Sequence, residues 1–339
     1  MFLRYVHNFR AVAICFIVAG HVVFTLGHAA HPRMMDLLAD ALDYGTVLFL
    51  FIAGFLFEHL AGTFEYRGYL RRKLRNVIAP YLVTSVPAVV YVAWFTPGDG
   101  HSPWYRAAVM LATGVGSPDY AVWFIPMIAL FYLAAPLLMR FVRHPRLYWL
   151  IVPLLVFSAL AHRPPELWTP VIAVYFLPVY LLGMWVSHAR ERIEPVVRRW
   201  WPALLAAFAA AVVVRWLWSP WHGGEYAHGL FTGEFGLVDW MLLMKVLFCF
   251  ALMGIMLRAD RVIGDRLSFL GTASFTVFFL HCYLLLAFVD GWAALGRGVA
   301  QGDAVSVVAL TLAVVGVALA AAALVRRLAG PRSRMLIGC

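Results

Sequence analysis

Charge is what this 339-residue chain has least of. Only 13% of its residues are Asp, Glu, Lys or Arg, 63% are hydrophobic, and the mean hydropathy is +0.83. A soluble domain is about a quarter charged and about half apolar. The composition therefore excludes an ordinary soluble enzyme, and it excludes a disordered or fibrous chain as well. Cysteine is sparse too. Cys15, Cys249 and Cys282 lie inside apolar runs and Cys339 is the last residue, which excludes a disulfide framework and reads as small buried hydrophobes. No inverted repeat is visible, which weighs against many transporter architectures. Residues 1–339 are expected to form a single integral-membrane domain with no separate soluble domain.

What is present is a series of long apolar runs, about 9–29, 43–62, 77–96, 121–141, 147–161, 168–187, 201–218, 237–257, 272–292 and 303–325. A spanning helix needs about 20 apolar residues, so the chain is expected to be an all-α polytopic membrane protein of about ten transmembrane helices. The fifth run is short and contains Pro153. The first is too long for the apolar core of a signal peptide and is expected to be retained. The basic residues fit the same topology. Of 27 Lys and Arg, 21 fall in the segments of one side and four in those of the other, with Arg215 and Lys245 inside runs. This asymmetry puts both termini in the cytoplasm. The net charge of +10 thus reports topology rather than nucleic-acid binding, and the lipid bilayer is the expected partner. Fifteen per cent aromatic residues, including 13 Trp, suit a chain with many membrane–water interfaces.

Ionisable groups at membrane depth are functional candidates, because charging them there costs at least ~2.5–3.5 kcal/mol. Arg10 and His21 are eleven residues apart, which puts them within about 20° of one helical face and ~16 Å apart along the axis. His281 is expected at a depth similar to His21. Arg71, Arg72 and Arg75 share a basic segment ahead of the third run, and guanidiniums grip phosphate with a planar fork. Lipid headgroups are the competing ligand there. On the other side, residues 216–235 hold Trp221, His222, Glu225 and His228. Aromatic platforms beside carboxylates suit sugar rings. The spacing His-x-x-Glu-x-x-His is not a recognised helical zinc pattern, so no metal is expected. Glu58, Arg215, Asp239 and Lys245 lie within runs and require partners. Asp43 and Asp303 are placed to open helices.

Five segments in order resemble the membrane-bound acyltransferase family 3 over about residues 1–290: Asn8 to His21, with ten residues between Arg10 and the histidine; Phe49 to Leu56, where Ala53 stands for the family's usual Ser; Tyr69 to Pro80; Val122 to Pro126; and Phe278 to His281. The resemblance implies an enzyme that takes an acyl group from cytosolic acyl-CoA, with acetyl-CoA the leading donor. It implies transfer to a hydroxyl of an envelope polysaccharide, glycan or glycolipid at the bacterial inner membrane. His21 is then the catalytic histidine and Arg10 its motif partner. Arg72 and Arg75 then receive CoA, and Trp123 and His281 face the acceptor; the basic segment adds Arg71 to the donor site, and the aromatic outer segment adds Trp221 and Glu225 to the acceptor side. Acylation of a small secondary metabolite is the alternative within enzymes, and transport of a polysaccharide or small anion the alternative outside them. The residues leave the acceptor, the acyl length, the oligomeric state and the choice between direct transfer and an acyl-enzyme relay open.

Overall fold

The computed structural model describes residues 3–95, 100–114, 117, 121–163, 169–218 and 238–339. Among them no strand forms, only one isolated bridge between Gly27 and Gln301. With no water to satisfy backbone groups in hydrocarbon, the apolar runs close their hydrogen bonds internally as helices. In chain order these are α1 (Arg4–Thr25), α2 (Pro32–Leu42), α3 (Thr46–His59), α4 (Tyr66–Trp94), α5 (Pro103–Thr113), α6 (Phe124–Leu133), α7 (Ala135–Arg143), α8 (Pro145–Ala161), α9 (Thr169–His188), α10 (Arg190–Trp218), α11 (Trp240–Ile263), α12 (Ser274–Ala294) and α13 (Ala304–Ala329).

By length and composition, eight helical segments among the described residues could cross a membrane, and nine if the bent pair α6–α7 is one span. That pair turns by 58° where Pro136 stops α6. The Leu133 carbonyl, whose helical donor Leu137 bonds Ala134 instead at 2.9 Å, accepts the Tyr66 hydroxyl at 3.1 Å. The short fifth run, α8, still joins the two ends of the bundle. Near its start Tyr148 donates to Glu58 at 2.8 Å, and near its finish the Ala159 carbonyl accepts the Asp239 amide at 2.6 Å.

Two elements differ from expectation. The third helix begins at Tyr66 rather than near 77, because the Glu65 carboxylate caps the amides of Arg67 and Gly68 and starts a helix through the basic segment. It runs on through a π-helical turn at Leu74–Ile78. Helix α5, in the stretch left between the third and fourth apolar runs, is capped by Ser102 and held to α4 by the Tyr81 hydroxyl on the Leu111 carbonyl, 2.8 Å. Asp303 caps α13 in a reciprocal pair with Ser306. Asp43 instead lies between α2 and α3 and accepts the Tyr44 amide at 2.6 Å.

Helix α1 lies at the centre of the bundle, packed on α2, α3, α11, α12 and α13. Helices α3 and α9 approach most closely, because Gly54 faces the Tyr180 carbonyl and Gly183 faces the Phe51 carbonyl with no room for a Cβ. The ionisable groups within runs find partners. Glu58 accepts from Tyr148 and pairs with His188, and Arg215 pairs with Asp40. The fully buried Lys245 donates to the Asp40 and Ala41 carbonyls, a cation set on the C-terminus of α2.

Candidate active site

Among the described residues two adjoining chambers share Phe124 as a common wall. The larger, about 800 Å³, opens at the arginine-rich end. Its mouth carries Arg72, Lys73 and Arg334, and Arg10 projects into it from α1. Arg10 donates to Ser274 Oγ at 2.8 Å and lies 5.6 Å over the Phe275 ring. The Lys73 amine is set between two tyrosines, 4.6 Å from the Tyr132 ring and 5.3 Å from that of Tyr69. Further in, the walls turn apolar, with Phe49, Ile52, Ile128 and Phe124. A cavity with cations at one end and hydrocarbon at the other suits an amphipathic anion.

The smaller chamber, about 50 Å³, lies beyond Phe124, which lines both. The Phe124 ring is 5.5 Å from Phe278 and 6.4 Å from Phe49, and these aromatics form the septum between the chambers. Around the small chamber stand His21, Asp43, Tyr44, Trp123 and Arg163. The Arg163 guanidinium is 4.8 Å over Trp123 and 5.3 Å over Tyr44. Tyr44 holds a left-handed backbone, φ 59°, a costly conformation for a non-glycine residue. It is fixed by its amide on Asp43 and by its hydroxyl on Asp239 at 3.3 Å. Asp239 also accepts Tyr175 at 2.6 Å and caps Leu242 at 3.0 Å.

His21 meets His281 across the α1–α12 interface, Nδ1 to Nε2 at 2.9 Å. Cys282 Sγ lies 3.4 Å from each of these nitrogens. His21, His281 and Cys282 thus offer three ligand atoms within 4.8 Å of one another, the donor set that bears on the question of a metal. Nitrogens sharing a tetrahedral zinc stand about 3.3 Å apart, given Zn–N lengths of about 2.0–2.1 Å. The observed separation is that of a hydrogen bond.

The residues expected from sequence therefore divide. Arg10 and Arg72 share the large chamber, His21 and Trp123 share the small one, and His281 stands behind His21 rather than in the chamber lining. Arg71 and Arg75 are exposed and do not line the cavity. The lining stripe of α4 is Tyr69, Lys73 and Asn76 with Arg72 at its edge, and a step of three residues carries Arg75 about 60° further from it. Lys73 fits that i, i+4, i+7 stripe and was legible there. Arg163, among the four basic residues of the charge-poor side, carried no such signal. Trp221 and Glu225 lie outside the described residues. No curated protein and no solved structure matches the chain. Residues 3–324 match the family model of the acyltransferase domain, acyltransferase family 3, and with nearly the whole chain inside that match the protein is a multi-pass membrane member of this acyltransferase family.

Proposed function

We propose that the protein is an O-acyltransferase of the bacterial inner membrane. It takes an acyl group, foremost acetyl, from cytosolic acyl-CoA and passes it to a hydroxyl of an envelope glycan, polysaccharide or glycolipid. The observation that carries this reading is the pair of chambers meeting at Phe124, one with Arg10, Arg72 and Lys73, the other with His21. With the arginine-rich end in the cytoplasm, CoA phosphates engage Arg72 and Lys73 and the pantetheine arm runs inward past Arg10. It has to reach ~16 Å further along α1, by the helical rise, to bring the thioester past Phe124 to His21.

His21 is the general base. Its imidazole takes the acceptor hydroxyl proton as the oxygen attacks the thioester carbonyl. Arg163, a cation of the same chamber, stabilises the oxyanion. Collapse of the tetrahedral intermediate breaks the C–S bond, and the imidazolium returns its proton to the CoA sulfur. An ester and a free thiol result. Trp123, with Arg163 over its ring, lines the chamber on the side where the sugar acceptor engages His21.

The test is thiol release from acetyl-CoA by purified protein with a lipid-linked glycan acceptor, alongside mass spectrometry of envelope glycans from wild-type and deletion strains. His21→Ala and His21→Gln are both expected to bind CoA and melt like wild type while losing transfer by at least ~10²-fold. An active, stable His21→Gln protein would remove His21 from the chemistry. Substrate moved unchanged across a vesicle, with no thiol released, would replace the enzyme by a transporter.

A further inference from the structure

The two imidazoles of the α1–α12 interface are not equivalent, and their asymmetry assigns the protons. His281 Nδ1 lies 2.6 Å from the Phe278 carbonyl oxygen and 3.2 Å from that of Val277. A carbonyl only accepts, so this nitrogen carries the hydrogen. A neutral imidazole has one N–H. His281 Nε2 therefore presents a lone pair, and it presents it to His21 Nδ1 at 2.9 Å. His21 Nδ1 must be the donor, which leaves the lone pair of His21 on Nε2. The ring centroids are 4.9 Å apart with planes inclined by 27°. That separation falls a little short of the nitrogen distance plus two ring radii, so the rings meet through their facing nitrogens with the contact bent off a straight line.

We propose that His281 is a positioning residue which holds His21 in the Nδ1–H tautomer and directs its Nε2 lone pair at the acceptor hydroxyl. Free imidazole side chains favour the opposite tautomer, with hydrogen on Nε2, which cannot act as the base there. The mount is rigid. His281 is fully buried, and both carbonyls that hold it belong to its own helix, three and four residues back. The logic is that of a nucleophile's base oriented by a third group, with a backbone-anchored neutral imidazole in the place a carboxylate takes in a hydrolase triad. It differs in one consequence. A neutral partner adds no charge of its own to stabilise an imidazolium, so His281 acts through direction and tautomer alone. The catalytic part of this proposal rests on the acyl-transfer reading of His21; the tautomer part does not.

The experiment uses full-length protein with ¹⁵N-labelled histidine in detergent or nanodiscs, comparing wild type, His281→Leu and His281→Gln. In wild type the His21 signals are expected to show hydrogen on Nδ1. His281→Leu removes the acceptor, and the signals should move to the Nε2–H tautomer. His281→Gln can offer its carbonyl oxygen to the same N–H and should restore the Nδ1–H form. In the thiol-release assay His281→Leu should lower kcat by about 10²-fold, within the range of general-base contributions, with KM for acetyl-CoA unchanged. His281→Gln should recover at least about a tenth of the wild-type rate. An Nε2–H signal for His21 in wild type, or an unshifted signal in His281→Leu, overturns the proposal. Stoichiometric zinc in purified wild type that is lost in both variants overturns it as well, because the pair would then be ligands. Tautomer shifts in a protein without acyl transfer would refute the functional reading and leave the orienting contact standing.

Discussion

The donor chamber is tested most directly by alanine substitutions at three positions of one basic segment that a sequence count treats alike. Arg72 and Lys73 line the chamber and Arg75 does not. A charge-assisted hydrogen bond to phosphate contributes about 1.5–3 kcal/mol, which is about 10- to 150-fold in Kd. Arg72 is exposed at the mouth, so water and salt screen it, and Arg72→Ala is expected near the lower end, about tenfold. Lys73 is half-buried between two tyrosine rings, so Lys73→Ala is expected to cost more, about 30-fold or above within that range. Arg75→Ala removes an exposed cation outside the chamber and should change Kd by no more than about fivefold, the reach of a surface charge worth 0–1 kcal/mol. Arg72→Lys keeps the charge and loses the fork, giving an intermediate value. The assay is calorimetric titration of acetyl-CoA into purified protein, repeated at two salt concentrations, since loss at Arg72 should shrink as salt rises. Equal effects at Arg72 and Arg75, or full affinity in Lys73→Ala, would move the donor site out of this chamber.

Two further outcomes follow from the same geometry. Gly54→Ala would drive a Cβ into the Tyr180 carbonyl, backbone that cannot rotate aside, so about 3 kcal/mol of stability should be lost, the upper part of the overpacking range. It should lower the melting temperature and weaken CoA together, because Tyr180 walls the chamber; a wild-type melt would refute the close approach. Arg163→Ala should reduce kcat for thiol release by about 10²-fold at unchanged CoA affinity, as loss of an oxyanion donor does, with Arg163→Lys partly active. Unchanged kcat with a raised KM for the acceptor would assign Arg163 to acceptor binding instead.

How much of this was legible beforehand depends on whether the information was local. The ten runs were, since hydrocarbon forces each apolar stretch to close its own hydrogen bonds, and every one became helix. The pairing of Arg10 with His21 on one face of α1 was local as well. The helix is unbroken from Arg4 to Thr25, so the two residues fall in successive chambers rather than at one point. The basic segment was legible only in part. Residue spacing fixes which side chains share a face, but the face that turns inward is chosen by Tyr132 and the aromatic walls from other helices. That choice favoured Lys73 over Arg75. The 2.9 Å contact of His21 with His281 depends on the rotation of two helices about their axes, which no single helix encodes.

Arg163 shows why the remaining site residue was hidden. On the charge-poor side the sequence has four arginines, and three of them sit over tryptophan: Arg33 at 5.0 Å from Trp216, Arg163 at 4.8 Å from Trp123 and Arg297 at 4.9 Å from Trp292. Cation–π contact is how such a cation is stationed at an interface, so pairing with Trp does not separate a functional arginine from an anchoring one. Position does. Arg33 and Arg297 line neither chamber, whereas Arg163 also covers Tyr44 and shares a chamber with His21. Arg163 follows the end of α8, and its neighbours come from the turn between α2 and α3 and from the start of α6, segments joined only by folding. A cation that shares a chamber with His21, amid residues brought together from separate parts of the chain, is the group whose removal should cost chemistry rather than stability.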